Sequence, residues 1–353
     1  MNLEETPPSN AGEIADAADK SADKSASKNI LKHLASFAIS GVLLYFAFNK
    51  VDPAEIWRYT QEMNPWPLAI VVVTALASHV LRAYRWTILL KPFAGRQINL
   101  VNSFYAVILG YAINVAIPRG GEVARLLSIC KDEKLAWPGV LSTLLVDRML
   151  DMALLVFLLG TCLVFLPQSF LETFPALLKG GIGLLIATII GLLLLPYAGS
   201  ILRFLLKQNF IAGKLPKSVL DKLTEMAEQF DSGTRALKDP VGYPLIAALS
   251  FVIWGLYWCN FYFMLPAFHL EKIIGPVDTL IIFTIGSVGV LIPTPGNAGS
   301  FHYLVCQSME LVAPQVSKAQ ALAYATILHV LTFVLTNCIT AALLFLFRKS
   351  SKK

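Results

Sequence analysis

Two stretches of this sequence place charge where charge is costly. One reads Asn114-Val-Ala-Ile-Pro118-Arg119-Gly120-Gly121-Glu122-Val-Ala-Arg125, the other Val146-Asp147-Arg148-Met-Leu-Asp151. Both adjoin long apolar runs, and an isolated charge at a bilayer centre costs about 2.5–3.5 kcal/mol on insertion scales. Partners or a ligand must therefore offset them. Gly120-Gly121 opens a helix after a break, so free N–H groups and the positive end of the helix dipole are available to an anion. Arg119 and Arg125 add formal charge, and Glu122 lies three residues from each, a helical-neighbour spacing. The group reads as a phosphate or head-group cradle in which Glu122 holds the arginines, or as a self-satisfied ion network that seats the chain. Asn114 caps the broken backbone or touches the substrate. Arg148 and Asp151, at i and i+3, form a local pair. Asp147 lies about 100° away around the helix, so its expected partner is Arg119 or Arg125.

A third motif, Pro293-Thr-Pro295-Gly296-Asn297-Ala-Gly299, is followed three residues later by His302, and His329 lies inside the last apolar run. Either histidine is a hydrogen-bonded packing residue or a proton-coupling group, since histidine titrates near neutrality. The expected substrate-binding set is thus Asn114, Arg119, Gly120, Gly121, Glu122, Arg125, Asp147, Arg148, Asp151, Pro295, Gly296, Asn297, Gly299, His302 and His329. Arg82, Arg85 and Trp86 close an apolar run and read as a basic-aromatic interface belt, with collection of anionic lipid as the alternative. The five cysteines stand singly, without metal-ligand spacing, and read as small apolar residues. No catalytic trio, metal site or cofactor is expected.

The elements that position these groups follow from composition. Of 353 residues, 56% are hydrophobic and 15% charged; soluble domains run about 45–50% and about 25%. Disordered chains, basic nucleic-acid-binding domains and ordinary soluble enzymes are excluded, and a polytopic all-α membrane protein remains. Residues 1–33 are polar with no apolar core, hence a disordered cytoplasmic tail rather than a signal peptide. A single transmembrane domain occupies 34–347, followed by a short basic tail, 348–353. Apolar runs at Leu34–Phe48, Trp66–Leu81, Gly139–Leu166, Ala176–Gly199, Tyr243–Leu265 and Ala319–Phe347 are span candidates, against about 20 residues needed. Residues 214–240 carry Leu220, Leu223, Ala227, Phe230 and Leu237 at near-helical spacing, which predicts an amphipathic helix on the inner surface.

Two further runs, Leu100–Ile117 and Val277–Ile292, each end in Ile-Pro and a Gly-rich break and then resume. Lys and Arg concentrate in five regions, 1–33, 82–98, 118–138, 200–242 and 348–353, which hold 23 of the 29. Positive loops stay cytoplasmic. All five fall on one side only if 100–134 folds back to the cytoplasm and 277–313 folds back to the outside. The expectation is six spanning helices plus two oppositely oriented re-entrant hairpins with both termini inside, an inverted-repeat pattern with a midplane site. The alternative is eight crossings with a distorted pair, because an 18-residue first arm measures about 27 Å.

With these motifs in order, the chain resembles the lysylphosphatidylglycerol synthase transmembrane-region family, flippase-like integral membrane proteins. The resemblance covers roughly 30–345. It rests on Arg85-Trp86, Pro118-Arg119-Gly120-Gly121-Glu122-x-x-Arg125, Asp147-Arg148-x-x-Asp151 and Pro293-x-Pro295-Gly296-x-x-Gly299. Asn297 and His302 stand where a second Gly and a Glu are expected. The resemblance implies movement of lipids or lipid-linked intermediates across a bacterial inner membrane. Aminoacyl transfer belongs to a separate soluble domain, which is not expected within this chain. The expected partners are membrane lipids and a lipid-modifying synthase or glycosyltransferase; no nucleic acid is expected, and oligomeric state is not legible. An intramembrane enzyme acting on a phospholipid or polyprenyl phosphate, or a non-transporting partner of a lipid synthase, are the rival readings.

Overall fold

A computed structural model describes residues 34–165, 175–194, 197–208, 216–239 and 241–350. The expected tail over 1–33 and the final residues 351–353 lie outside them. The described residues form helices and connections, with no strand among them. In chain order the helices are α1 (Leu34–Phe48), α2 (Pro53–Gln61), α3 (Trp66–Ala94), α4 (Leu100–Ala116), α5 (Gly120–Glu133), α6 (Trp137–Phe165) and α7 (Pro175–Leu194). They continue with α8 (Ala198–Leu206), α9 (Lys217–Gly233), α10 (Gly242–Met264), α11 (Pro276–Gly289), α12 (Ser300–Val312), α13 (Lys318–His329) and α14 (Thr336–Ser350). Among the described residues, α3, α6, α10 with its 3-10 extension to Phe268, and the continuous run Lys318–Lys349 are long and apolar enough to cross a membrane. α1 and α2 together pass the same test but meet at an 80° bend.

Side-chain contacts fix the directions. α10 runs antiparallel to α3: Arg85 reaches Ser250 (2.8 Å), Arg82 reaches Tyr257 (3.2 Å) and Thr74 reaches Asn260 (2.6 Å). α6 is also antiparallel to α3, with Trp86 Nε1–H donating to Thr143 Oγ1 (3.1 Å) at one level and Arg82 meeting Asp151 at another. The molecule therefore has one end marked by Ala94, Trp137 and Gly242, and an opposite end marked by Trp66, Phe165 and Met264.

α4 and α5 form a helical hairpin. α4 is capped by Asn99, whose side chain accepts from the Val101 N–H. It ends because Pro118 cannot continue the hydrogen-bond ladder, and Arg119 in the left-handed region (φ 62°) reverses the chain. At the tip, Asn114 Oδ1 accepts from the Gly121 N–H at 2.8 Å, satisfying a donor that the new helix leaves free. At the base, Glu133 takes hydrogen bonds from Asn102 (2.6 Å) and Arg96 (2.7 Å). The arms touch through glycines: a Cβ on Gly121 would run into the Gly110 carbonyl and lie 2.7 Å from Asn114 Cγ.

α11 and α12 form the second hairpin. Its base lies at the opposite end, where Cys162 of α6 donates to the Leu280 carbonyl (3.7 Å). Its tip, residues 290–299, is a left-handed excursion through Gly296 (φ 55°), Asn297 (φ 60°) and Gly299 (φ 86°). At Gly299 a side chain would be strained by φ and would also sit 2.6 Å from the Ser40 carbonyl of α1. The two tips meet: a Cβ on Gly296 would lie 3.3 Å from the Val115 carbonyl. The helix pairs α4–α5 and α11–α12 occupy the two stretches, 100–134 and 277–313, that were expected to fold back.

The last run ties both ends. Lys318 donates to the Phe46 and Asn49 carbonyls, and Arg348 pairs with Asp132 at 2.6 Å. Between them Val330–Leu335 is a π-helix, a widened turn often found at functional sites. Asn337 donates to the Thr332 and Phe333 carbonyls across it, each at 3.0 Å. Within the stretch 214–240 expected to be amphipathic, the described residues form α9 and a 3-10 turn at Arg235–Lys238, with Ala227 and Leu237 buried, while 214, 215, 240 and the Phe230 side chain lie outside the description. Two buried apolar clusters result, one around α3–α6 and the 3-10 turn, one around α10–α13.

Candidate functional site

The predicted pairs are replaced by a larger construction. Arg82 and Arg85 share a face of α3 at i and i+3, Asp147 and Asp151 share a face of α6 at i and i+4, and Arg125 projects from α5. All five converge and are at most 5% exposed. Arg85 Nη2 contacts Asp147 (2.7 Å) and Asp151 (2.8 Å), Arg125 Nη1 contacts Asp147 (3.0 Å), and Arg82 contacts both aspartates. Arg125 also stacks over Trp86, 3.9 Å from guanidinium carbon to ring centroid, a cation–π contact strengthened by desolvation.

Three expectations are corrected. Arg148 does not pair with Asp151; it reaches Glu122 on α5 at 3.0 Å. Glu122 accordingly binds Arg148 rather than Arg119 or Arg125. The physical reason is helical phase. Asp147 and Asp151 point the same way into the cluster, while Arg148 points toward α5 and meets Glu122 at a half-exposed position. Third, Arg82, Arg85 and Trp86 are not an interface belt; they are buried in the centre of the cluster. Of the two partners expected for Asp147, Arg119 or Arg125, it is Arg125 that the structure places against it.

A cavity of about 440 Å³ lies between the hairpin tips, α3, α6, α10 and the π-helix. Asn114, Arg119, Glu122, Arg148, Asp151, Gly296 and Asn297 line it. A smaller cavity of about 200 Å³ shares Asn114, Arg119, Glu122 and Arg148 with it and adds Gly121 and Arg125. Gly120 forms the turn beside them, and Asp147 stands behind Arg82 and Arg85. Pro295, Gly299, His302 and His329 lie in the second hairpin and its supports rather than on the cavity wall. His329 Nε2 is 2.6 Å from the Gly296 carbonyl, Phe333 stacks on its ring, and the two histidine rings are 4.8 Å apart. His329 thus holds the tip in place.

Sequence reading missed Ser78, His79, Tyr257, Asn260 and Asn337 on the cavity wall. The signal was present for α3: Ser78, His79 and Arg82 recur at i, i+1 and i+4 within an apolar run, and polar side chains inside a span mark a functional face.

Helices long enough to span a bilayer around a buried ion cluster define a polytopic helical membrane protein. The chain belongs to the family described as the lysylphosphatidylglycerol synthase TM region, which it matches over residues 33–339. It is also 22% identical over 332 residues to the UPF0104 membrane protein MJ1595 of Methanocaldococcus jannaschii, an alignment covering 92% of this chain and 96% of that protein.

Proposed function

We propose that this chain is a flippase-like transporter that moves an anionic phospholipid or a lipid-linked polar head group across a bacterial inner membrane, with both termini cytoplasmic. A charged head group pays heavily to enter hydrocarbon. Two opposed re-entrant hairpins, related as inverted repeats, bring polar side chains to the midplane while the acyl chains remain in lipid. The observation that carries the reading is the 440 Å³ cavity between the tips. Its α3 wall, Ala75 to Arg82, falls near the middle of the 29-residue helix Trp66–Ala94. The site has the depth and the charge for a head group in transit. Concentration of Lys and Arg in the loops at the Ala94 end supports the orientation. A lipid-modifying synthase or glycosyltransferase is the natural supplier of such a substrate.

The test is reconstitution of the purified chain in vesicles carrying a head-group-labelled lipid in one leaflet. The expected result is redistribution of chemically unchanged lipid. Accumulation of altered lipid would instead assign an intramembrane enzyme.

A further inference from the structure

We infer that the cavity selects a doubly charged phosphate monoester, the head of a lipid monophosphate, over the singly charged phosphodiester of an ordinary phospholipid. This rests on the lipid-binding reading above and specifies the charge its site takes.

The first observation is a charge balance. Arg82, Arg119, Arg125 and Arg148 line the two cavities with Asp151 and Glu122, and Arg85 and Asp147 stand directly behind them as a pair. Five against three leaves a formal charge of +2. Among the described residues, no other Lys, Arg, Asp or Glu lines either cavity. The buried part alone, three arginines on two aspartates, carries +1.

The second observation is a set of donors the cluster leaves unused. Arg125, 5% exposed, has Nε and Nη2 without a hydrogen-bond partner, and Arg82 Nε, on a residue 3% exposed, likewise has none. Arg125 lines the smaller cavity, and Arg82 lines the larger. Groups this dry normally find acceptors. Arginine presents its N–H groups as a fork that matches phosphate oxygens.

Chemistry then decides between phosphate classes. A phosphate monoester carries about −1.5 to −2 near neutral pH and three strong acceptor oxygens. A diester carries a single charge, so it leaves one positive charge of the site unbalanced at membrane depth, where unpaired charge is expensive.

The test is ligand-induced thermal stabilisation of the full chain in detergent, since a ligand that binds only the folded state raises the unfolding temperature. The probes are dioctanoyl phosphatidic acid, dioctanoyl phosphatidylglycerol and inorganic phosphate at pH 7.5. Phosphatidic acid is expected to half-saturate at about tenfold lower concentration than phosphatidylglycerol, a factor worth about 1.4 kcal/mol. Arg119→Asn, which lowers the balance to +1 and suits the left-handed backbone, is expected to bring the two lipids toward parity. Glu122→Gln, which raises it, is expected to widen the gap. Equal half-saturation of the native chain by the two lipids, or preference for the diester, overturns the inference. Stabilisation by inorganic phosphate matching that by the lipid would assign the site to the free dianion and overturn the lipid source. Selective binding without transfer between vesicle leaflets would sink the transporter reading and leave this site standing. Transfer of both lipids at equal rates, with equal binding, would do the reverse.

Discussion

Asp147 is the hinge of the ion cluster at the residue scale, because three arginines converge on it at 0% exposure. Removing one partner of a buried ion pair costs about 3–5 kcal/mol, since the remaining charge is left uncompensated. Asp147→Asn is therefore expected to lower the unfolding temperature sharply in detergent, and Asp147→Asn with Arg125→Gln to recover part of the loss. Glu122→Ala, which breaks a pair 40–51% exposed, is expected to cost about 1 kcal/mol or less. Equal losses for Asp147→Asn and Glu122→Ala would contradict this ranking. The residue types were legible in the sequence, as was a partner for Asp147 in Arg119 or Arg125, but not which of the two. Arg148 with Glu122, and the burial of Arg85, were not, because local spacing says nothing about which face of α6 meets which face of α3.

Hairpin closure depends on backbone approach at the scale of the element. Gly121→Ala is expected to force α5 away from α4, since the added methyl meets the Gly110 carbonyl and Asn114. The measurement is folded yield and unfolding temperature, with Gly255→Ala as control. A Cβ at Gly255 meets nothing within 4 Å, so that substitution is expected to be neutral or to stabilise by about 0.4–1 kcal/mol through the unfolded state. The breaks at Pro118 and Pro293 were readable because proline and glycine act on their own backbone. The π-helix at Val330–Leu335 was not, since nothing in that apolar run signals an extra residue per turn.

Two hairpins with bases at opposite ends make a topological statement about the whole molecule. Lys131 and Lys272 are both exposed, one near each base. In a cysteine-free background, Lys131→Cys is expected to react with an impermeant thiol reagent only from the cytoplasmic side, and Lys272→Cys only from the outer side. Labelling of both from one side would remove the opposed arrangement. The asymmetry of Lys and Arg leads to the same expected layout from sequence alone, because charge in a loop biases insertion, and this labelling is its test.

The sequence by itself determined what is local: which segments are apolar enough to be helices in a membrane, where proline and glycine end them, and which polar residues are out of place. These follow from free energies that sum over consecutive residues. Tertiary structure decided what depends on rotation and approach: that α3, α5 and α6 turn their charges inward together, that Arg148 turns away to Glu122, and that Gly296 meets Val115 to enclose the cavity. Helical phase and close glycine contacts fix those choices, and both are settled only when several helices pack at once.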